Sequence, residues 1–308
     1  MDISAVVVSF NSDKFLQQNL SSLFRQTVAF KQVIVVDNNS SDGSAGIIGT
    51  FPGAQKLVPA ANIGYAAAAN LGIAGADAEL VLVANADVYL ADDFNQQVLR
   101  FFAEHPQASM LAPLLLRFDR QTIDSAGQTF SPALHPREIG FGRKLASVRL
   151  GAGEVFSVCG AATVFSRKDL EKLKIGAEYY DEDFFMFWED FDIGWRAQLL
   201  GLKVFFTPQA VAYHFRSGTL KKTWLSRFSL AMARPAELRY HLLKNRYLTL
   251  IKNFRFSRFW WTLPFILGKD LLWTCALTIR APKIIIAMAG SGNIFKRAWK
   301  KRRQIQGT

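Results

Sequence analysis

Three short apolar runs mark the first part of the chain. Residues 5–8, 33–36 and 80–83 consist almost entirely of Val, Ile, Leu and Ala, which is typical of strands buried on both faces of a parallel sheet. Apolar residues recur at helical spacing over 15–24, and a helix-compatible run covers 65–74. Strand, helix, strand, helix and strand in this order predict a doubly wound α/β domain.

The pattern changes twice further along the chain. From about 121 to 150 the periodicity fades while Gly, Pro, Ser and charged residues accumulate, which predicts a long excursion that covers the site. A helix and then a strand are predicted within 191–206. After residue 216 the pattern becomes helical and basic. We therefore expect an α/β domain over 1–220 and a basic, amphipathic helical extension over 221–308.

Charge separates the same two parts. The formal net charge of +12 is the sum of −6 over residues 1–215 (17 Lys/Arg, 23 Asp/Glu) and +18 over residues 216–308 (20 Lys/Arg, 2 Asp/Glu). The basic part also contains many aromatic residues, and this combination predicts attachment to an anionic membrane surface. Basic and aromatic residues also form single-strand nucleic-acid surfaces. The net acidic first part argues against a nucleic-acid partner.

Several features bear on where the chain resides. Met1 is followed directly by a strand pattern without a basic, cleavable leader. Cys159 and Cys275 have no disulfide-framework or metal-type spacing, which favours a reducing compartment. The apolar stretch 259–279 is interrupted by Pro264, Gly268, Lys269 and Asp270, so we expect it to lie in the membrane interface and not to span the bilayer. These features predict a peripheral position on the cytosolic side.

Polar residues follow each of the first three predicted strands. Ser9-Phe10-Asn11 follows the first, Asp37 opens a polar run after the second, and Asn85-Ala86-Asp87 ends the third. Parallel sheets bind ligands beyond these carboxyl ends, where Asp37 can accept hydrogen bonds from a base or a ribose. Turn formation alone also explains the run that begins at Asp37.

Two further groups suit phosphate and metal binding. Asn62-Ile63-Gly64 precedes a predicted helix whose N-terminus can face a phosphate, although an ordinary turn explains it as well. Asn85 and Asp87 offer the oxygen ligands that Mg²⁺ and Mn²⁺ prefer, the alternative being a cap for the next helix. His214 is a candidate metal ligand, or a structural histidine.

The densest acidic segment runs from Tyr180 to Asp192 and is interleaved with aromatic residues. Carboxylates buried in such surroundings have perturbed protonation equilibria, as a general base requires. Asp190 and Glu189 are the candidates within this segment. The alternative is that Asp190 or Asp192 caps the following helix.

The segments together closely resemble glycosyltransferase family 2, which has the GT-A fold, and within it the rhamnosyltransferase-like bacterial enzymes. The likeness covers residues 3–218. Five motifs carry it: VVVSFNS at 6–12, VIVVDNNSSDGS at 33–44, LVLVANADVYL at 80–90, FFMFWEDFDIGWRA at 184–197 and AYHFRSG at 212–218. The fold implied is a Rossmann-like, mostly parallel sheet flanked by helices.

The resemblance also implies roles for individual residues. Asp190, within the pair Glu189-Asp190, is the implied base, and Asp87 and His214 are the implied ligands of Mg²⁺ or Mn²⁺. Gly160, Ala161 and Trp188 are expected at the junction of donor sugar and acceptor. The residues expected around the donor nucleotide are Phe10, Asn11, Asp37, Asn38, Asn62, Gly64, Asn85 and Ala86. Asn85 departs from the fuller Asp-x-Asp form of the motif.

The implied reaction is an inverting transfer of a sugar, with rhamnose as the leading candidate, from a nucleotide-diphosphate donor to a lipid-linked saccharide. It would serve cell-surface polysaccharide assembly at the cytoplasmic face of the inner membrane. Two alternatives stay open. One is a catalytically inactive, nucleotide-binding membrane scaffold. The other is a retaining transferase or a nucleotidyltransferase on a similar sheet, which would leave Glu189-Asp190 without its role.

Overall fold

The computed structural model describes residues 1–215 and 235–307, which fall into two compact units. Unit 1 consists of Met1–Thr129, Glu138–Phe185 and Glu189–Arg216. Unit 2 consists of Phe130–Arg137, Met186–Trp188 and Ser217–Thr308. The expected boundary near residue 220 lies outside the described residues. Unit 2 therefore combines the C-terminal region with two short segments from the middle of the chain.

Strands and helices alternate over residues 3–85, and strands predominate among the elements that follow as far as His214. Their bounds are β1 Ile3–Ser9, α1 Asp13–Phe24, β2 Gln32–Asp37, α2 Ser44–Gly49, β3 Ala54–Leu57, α3 Gly64–Gly75, β4 Leu80–Asn85, β5 Val88–Leu90, α4 Phe94–Glu104, β6 Ala108–Arg117, β7 Ile123–Ser125, β8 Gln128–Phe130, β9 Pro136–Glu138, β10 Gly153–Glu154, β11 Ala162–Ser166, α5 Arg167–Lys172, α6 Glu189–Leu199 and β12 Lys203–His214. Short 3-10 turns lie at Leu145–Ser147 and Glu182–Phe184.

Ten of these strands form one mixed sheet, and β8 and β9 form a separate two-stranded sheet. The main path of the large sheet has the order β10-β12-β6-β11-β4-β1-β2-β3, with β5 beside β12 and β7 beside β6. Strands β3, β2, β1, β4, β6 and β12 run in one direction, whereas β11 and β10 run against them. The sheet is thus mostly parallel along its main path, as the sequence predicts.

Burial explains why the three apolar runs form the centre of the sheet. All seven residues of β1 are buried, as are the last five of β2 and the first five of β4. Helix α1 packs on one face through Leu16, Leu20 and Leu23, while α3 packs on the other through Ala66 and Ile73. Removing these side chains from water on both faces supplies the main driving force for this arrangement.

The structure differs from the sequence prediction in the second half of the sheet. Strands β6 and β11 lie between β12 and β4, although no strand is predicted there. Strand β12 continues from Lys203 to His214 past Pro208, and its register against β6 shifts between Thr207 and Val211. This bulge accommodates a proline that cannot donate to the ladder. It carries the strand on to His214.

The described part of unit 2 after residue 235 is helical. Helices α7 Ala236–Asn253, α8 Phe256–Phe259, α9 Leu263–Arg280, α10 Pro282–Ala289 and α11 Gly292–Gln306 follow one another, with a 3-10 turn at Trp260–Thr262. A small apolar core contains Leu277, Ala281 and Ile284.

Helix α9 begins beside Pro264 and runs without a break through Gly268, Lys269 and Asp270, residues at which an interruption of the apolar stretch 259–279 is expected. The proline occupies the first turn of the helix, where its missing N–H costs no intrahelical bond. By length and composition, the stretch Phe256–Arg280 is sufficient to cross a membrane. Its Leu267, Leu271 and Leu272 are 67%, 66% and 73% exposed, so α9 presents an apolar face that the described residues leave uncovered.

Candidate active site

The polar ends of β1, β2 and β4 lie side by side. In the parallel ladders, Ser9 is the register partner of Asp37, and Val8 is the partner of Asn85. The residues predicted after these strands therefore meet at one edge of the sheet. This is the edge at which parallel α/β sheets bind nucleotides.

The loop after β2 has a defined hydrogen-bonding arrangement. Asp37 is buried and its Oδ1 accepts from the backbone N–H of Ser40 at 3.1 Å. Asn11 has a left-handed φ of 48°, and its Oδ1 accepts from the N–H of Ser41 at 2.8 Å. Phe10 is about half exposed beside it. The ends of β1 and β2 are thus tied together, and an aromatic face is left accessible for a base to stack on.

Asn38 connects the same loop to the start of α3. Its Nδ2 donates to Asn62 Oδ1 at 3.0 Å and to the Gly64 carbonyl at 3.2 Å, while its Oδ1 accepts from the Ile63 N–H at 3.0 Å. The side chain of Asn38 is buried and engaged in these bonds. Its contribution in this structure is to hold the start of α3 against the end of β2.

Gly64 is required at the start of α3 for two reasons. Its φ is +82°, in the region that favours glycine, and an added Cβ would lie 2.5 Å from a ring carbon of Phe185. The backbone carbonyl of Phe185 also accepts from the N–H of Ala66 at 3.2 Å. Any side chain at residue 64 would displace this contact.

Asp87 and His214 are brought together, as the sequence predicts. His214 Nε2 lies 3.4 Å from Asp87 Oδ2, and the Phe215 N–H donates to the Asp87 carbonyl at 2.9 Å. His214 Nδ1 lies 2.8 Å from Oδ2 of a third residue, the fully buried Asp124. Burial opposes the positive charge of His214, but the hydrogen bonds to Asp124 and Asp87 outweigh it and raise its pKa to about 9.

The donor set of this group fits a divalent cation that is shared with a ligand. Within the described residues, no group of three or more His, Cys, Asp and Glu side chains could hold a metal ion. Asp87 Oδ2 and His214 Nε2 supply one carboxylate oxygen and one imidazole nitrogen, which Mn²⁺ accepts. Asp124 fixes the imidazole through its other nitrogen, the usual arrangement behind a ligating histidine. A diphosphate and water would have to complete the coordination.

Asp190 lies at the start of α6 with its carboxylate held by three donors. Its Oδ2 accepts from the Gly160 N–H at 2.8 Å and from Gln128 Nε2 at 3.0 Å, and its Oδ1 accepts from the Phe191 N–H at 2.7 Å. Gly160 allows this approach because a Cβ there would lie 3.1 Å from the Asp190 Cβ. The carboxylate is therefore fixed in one orientation.

Glu189 is buried, and the adjacent Asp190 is half-buried. Burial, followed by the neighbouring charge of Asp190, raises the pKa of Glu189 to about 8. Burial also raises the pKa of Asp190, against the hydrogen bonds from Gly160, Phe191 and Gln128. Among the described residues, Glu189 Oε2 has no hydrogen-bond partner. Asp190 is consequently the better stabilised carboxylate of the pair and the better candidate for a proton acceptor near neutral pH.

The segment around Gly160 connects these groups within unit 1. Ala161 accepts a hydrogen bond through its carbonyl from the Asn85 N–H at 2.9 Å, while its neighbour Gly160 holds Asp190. Ala86 is buried in the turn that leads to Asp87. The consecutive residues Gly160 and Ala161 thus connect Asp190 to the end of β4.

Trp188 belongs to unit 2, whereas the other predicted site residues belong to unit 1. Its ring packs edge-on against His135, with centroids 5.0 Å apart. Phe187 and Trp188 have positive φ values of 70° and 74°, which is unusual for aromatic residues. Asn245 on α7 supports this segment, since its Nδ2 donates to the carbonyls of Met186 and Phe187 at 2.7 and 2.8 Å.

Sequence reasoning missed three residues that complete the site. Asp124 and Gln128 lie in the aperiodic stretch after residue 121. Asn19 on α1 fixes the turn around Asp87, because its Nδ2 donates to the carbonyls of Asn85 and Val88 at 3.2 and 2.6 Å. Asn19 falls on the buried side of a predicted amphipathic helix. An asparagine on the buried side of an amphipathic helix is unusual, and this is the feature of the sequence that could have identified Asn19.

Relatives with known names share large parts of this chain. A poly-β-1,6-N-acetyl-D-glucosamine synthase of Staphylococcus epidermidis is 26% identical over 228 residues, 73% of this chain and 52% of that protein. The chain thus spans about half the length of this relative. An N-acetylglucosaminyl-diphospho-decaprenol L-rhamnosyltransferase of Mycobacterium tuberculosis is 27% identical over 239 residues, 70% of this chain and 76% of that protein.

Solved structures share the fold at lower identity. S. aureus TarS in complex with UDP-GlcNAc aligns with a TM-score of 0.61 at 17% identity, over 99% of this chain and 81% of that one. A mannosyltransferase of Pyrobaculum calidifontis in complex with GDP-Man and Mn²⁺ aligns with a TM-score of 0.56 at 15% identity, over 99% and 84%. These likenesses establish the GT-A architecture.

The family model of glycosyl transferase family 2 matches residues 4–174, which contain β1, β2, β4 and the Gly160 segment described above. This match covers more than half of the chain. The chain therefore belongs to glycosyl transferase family 2.

Proposed function

We propose that the protein transfers a sugar, with inversion, from a nucleotide-diphosphate donor to a lipid-linked saccharide acceptor. The observation that carries this proposal is the carboxylate of Asp190. It is half-buried, held by three hydrogen-bond donors and adjacent to a second carboxylate, in the same unit as the Asp87–His214 pair. An inverting transfer needs a fixed base for the acceptor and a separate group for the leaving diphosphate.

The reaction follows from these positions. The acceptor hydroxyl loses its proton to Asp190 while its oxygen forms a bond to the anomeric carbon. The bond from that carbon to the diphosphate oxygen breaks, and the nucleoside diphosphate leaves with the electron pair. Gly160, Gln128 and Phe191 keep Asp190 oriented throughout. A positioned base contributes about 10²–10⁴-fold to the rate, and the alignment of two bound substrates supplies much of the rest.

Asp87 and His214 would hold a divalent metal at the leaving group. When bound, such a cation neutralises charge that develops on the diphosphate. Asp124 orients the His214 ring toward Asp87 through the 2.8 Å contact to Nδ1. Mn²⁺ in the mannosyltransferase neighbour supports the choice of a hard divalent cation. At the nucleotide, Phe10, Asn11 and Asp37 would bind the base and ribose, while Asn62 and Gly64 would lie near the phosphates.

The names of the relatives support a role in polysaccharide assembly. One is a poly-N-acetylglucosamine synthase, and another is an L-rhamnosyltransferase acting on a diphospho-decaprenol compound. UDP-GlcNAc, GDP-mannose and thymidine-diphosphate rhamnose are therefore the donors to test, with the rhamnose donor as our leading candidate. A lipid-linked acceptor also agrees with the exposed apolar face of α9.

We further propose that residues 221–308 hold the protein peripherally on the cytoplasmic face of the inner membrane. Trp260 and Trp261 are 60% and 45% exposed. The leucines of the α9 face are more exposed than either tryptophan. The side chain of Asp270, in contrast, is only 18% exposed and pairs with Arg246 within unit 2. A helix with exposed apolar side chains and an acidic side chain paired within the protein suits a position in the interface.

Vesicle flotation tests this attachment. Replacing both Leu271 and Leu272 by Ser should lower binding to anionic vesicles by about tenfold or more, because two exposed apolar side chains no longer enter the interface. Leu200→Ser, at a half-exposed leucine of unit 1, is the matched control. High salt should release only part of the wild-type protein, and detergent should release the remainder. Unchanged flotation of the double variant would count against the proposal.

A donor panel tests the reaction. Purified full-length protein is given each of the three donors, with membrane lipid extract as acceptor, and release of nucleoside diphosphate is measured with Mn²⁺ and with chelator. We expect one donor to be turned over in a metal-dependent manner and to give an inverted linkage. Donor binding without turnover would favour the inactive scaffold, and a retained configuration would favour the retaining alternative.

A further inference from the structure

Unit 2 contains a concentration of basic residues around Asp270. Arg246 is buried on α7, Lys269 and Asp270 are adjacent on α9, and Arg137 is exposed at β9. All four belong to unit 2. The resulting excess of positive charge calls for an explanation, because unpaired cations in partly buried positions are costly.

Asp270 is fully engaged by one of these cations. Arg246 donates from Nε to Asp270 Oδ1 at 2.9 Å, and its Nη2 lies 2.8 Å from the same oxygen. The Nη1 of Arg246 donates to the carbonyl of Ala133 at 2.9 Å. Arg246 and Asp270 therefore form a closed structural pair that leaves the other two cations unmatched.

Lys269 and Arg137 are those two cations. Within residues 1–215 and 235–307, neither side chain forms a hydrogen bond or an ion pair with another residue. Burial and the nearby Arg246 lower the pKa of Lys269 to about 7, against the attraction of Asp270 and with a further contribution from Arg137. Burial and the charges of Lys269, Arg246 and Arg137 likewise lower the pKa of His135 to about 3. The neighbouring cations of unit 2 thus lower the pKa of both Lys269 and His135.

The position of Lys269 on α9 indicates what would compensate it. Leu267, Leu271 and Leu272, within three residues on the same helix, are all about two thirds or more exposed. A ligand with an anionic group at Lys269 and an apolar chain along these leucines would neutralise the lysine and cover the exposed leucines. A nucleotide has no such chain. A lipid-linked diphosphate has both parts.

We propose that Arg137 and Lys269 bind the diphosphate of the lipid-linked acceptor, while its lipid chain lies along Leu267, Leu271 and Leu272. This inference rests on the proposed function, because it assigns the acceptor of that reaction to unit 2. Two cations match the two phosphates of a diphosphate and distinguish it from a monophosphate. Bound anion also restores the full charge of Lys269.

The direct test is binding of farnesyl diphosphate, a short-chain diphosphate lipid, to the full-length protein, measured by calorimetry below its micelle concentration. Lys269→Gln and Arg137→Gln should each raise the Kd about tenfold, the effect of losing one charge-assisted hydrogen bond. Lys283→Gln, at an exposed lysine of α10, removes the same charge and should leave the Kd unchanged. Arg137 is exposed, so its variant stays informative should Lys269→Gln fail to fold.

Three comparisons identify the ligand. Farnesyl monophosphate should bind more weakly than the diphosphate, and UDP should not displace the diphosphate from this site. Glycerol 3-phosphate, which carries the phosphate of a glycerophospholipid headgroup without its acyl chains, should also fail to displace it. Displacement by that compound at matched phosphate concentration would identify a headgroup phosphate site and overturn the assignment to the acceptor.

The inference and the proposed function can fail separately. Variants that bind farnesyl diphosphate as tightly as the wild type, in a protein that still turns over a donor, would overturn the inference alone. A charge-dependent diphosphate site in a protein that turns over no donor would support the site and remove the transferase proposal. In the active protein, Lys269→Gln should raise the KM for lipid acceptor and leave the KM for donor unchanged.

Discussion

Two groups of carboxylates in unit 1 have opposite electrostatic character. Glu189 and Asp190 lie next to each other; burial raises the pKa of both, and the charge of Asp190 raises the pKa of Glu189 further. Asp87 and Asp124 lie on either side of His214 and raise the pKa of that imidazole to about 9. One group thus favours taking up a proton, and the other favours holding a cation.

The difference lies in the neighbours and not in the residue type. Asp190 is stabilised by neutral donors, two of them backbone N–H groups, so its charge is only partly compensated. Asp87 and Asp124 face the imidazole of His214, which is positively charged when it is protonated. A carboxylate in the first setting suits acid–base chemistry, and one in the second suits electrostatic stabilisation. The following predictions test this division.

The largest effect is expected from Asp190→Asn. The amide keeps the shape of the side chain but cannot accept the acceptor proton, so transfer should fall by about 10²–10⁴-fold while donor binding stays nearly unchanged. Turnover and donor Kd are measured in parallel. Asp77→Asn, at an 88% exposed carboxylate, is the control. Wild-type turnover in the Asp190 variant would remove the assignment of the base.

A smaller effect is expected from Asp124→Asn, which removes the charge behind His214. Loss of such a supporting carboxylate typically weakens metal affinity by 10–100-fold. Mn²⁺ binding, followed by electron paramagnetic resonance in the presence of nucleoside diphosphate, gives a readout independent of turnover. Asp87→Ala removes a proposed direct ligand and should weaken binding further. If Asp124→Asn binds Mn²⁺ as the wild type does, His214 needs no support from Asp124.

Glu189→Gln should change how stability depends on pH. The folded state raises the pKa of Glu189 from 4.5 to about 8, so it binds more protons than the unfolded state between these values. Stability contributed by this group is therefore complete below about pH 4.5 and is lost as the pH rises through about 8. The variant should show a flatter Tm between pH 5 and 8, measured by calorimetry. Parallel Tm curves for both proteins would contradict the raised pKa.

The smallest effect, and the sharpest in sign, is expected from Gln128→Met. Gln128 donates to Asp190 at 3.0 Å and thereby lowers its pKa, so its loss should move the acidic limb of the pH–rate profile to higher pH. Glu189→Gln should leave the same limb nearly in place, because Glu189, whose pKa is about 8, already carries a proton on the acidic side of neutrality. A limb that stays in place for Gln128→Met as well would show that it does not report Asp190.

The sequence predicts the first half of unit 1 well because its signals are local. Runs of β-branched residues identify β1, β2 and β4, and the polar residues after them lie where a parallel sheet requires. The meeting of Asp87 and His214 is also predicted, although from the resemblance and not from spacing. The roles of Asp190 and the nucleotide-site residues stay predictions.

Asp124 and Gln128 could not be predicted because nothing local marks them. They lie in the aperiodic stretch after residue 121, and their partners are 90 and 62 residues away in the chain. Their importance arises only when β6, β7 and β12 bring distant segments together. Pro264 counts as an interruption of the apolar stretch in the sequence, although a proline is tolerated in the first turn of a helix, which is where α9 contains it.

The support that Asn245 gives to Met186 and Phe187 has a consequence for producing the enzyme. Deleting the region after residue 220 would leave two backbone carbonyls without the donor that holds them, at a cost of about 1–3 kcal/mol each if they stay buried. It would also free a segment whose aromatic residues adopt left-handed φ values and whose last member, Trp188, is bonded directly to Glu189. Shortening the chain at 220 would therefore disturb the residues beside Asp190. Production of the full chain avoids this disturbance.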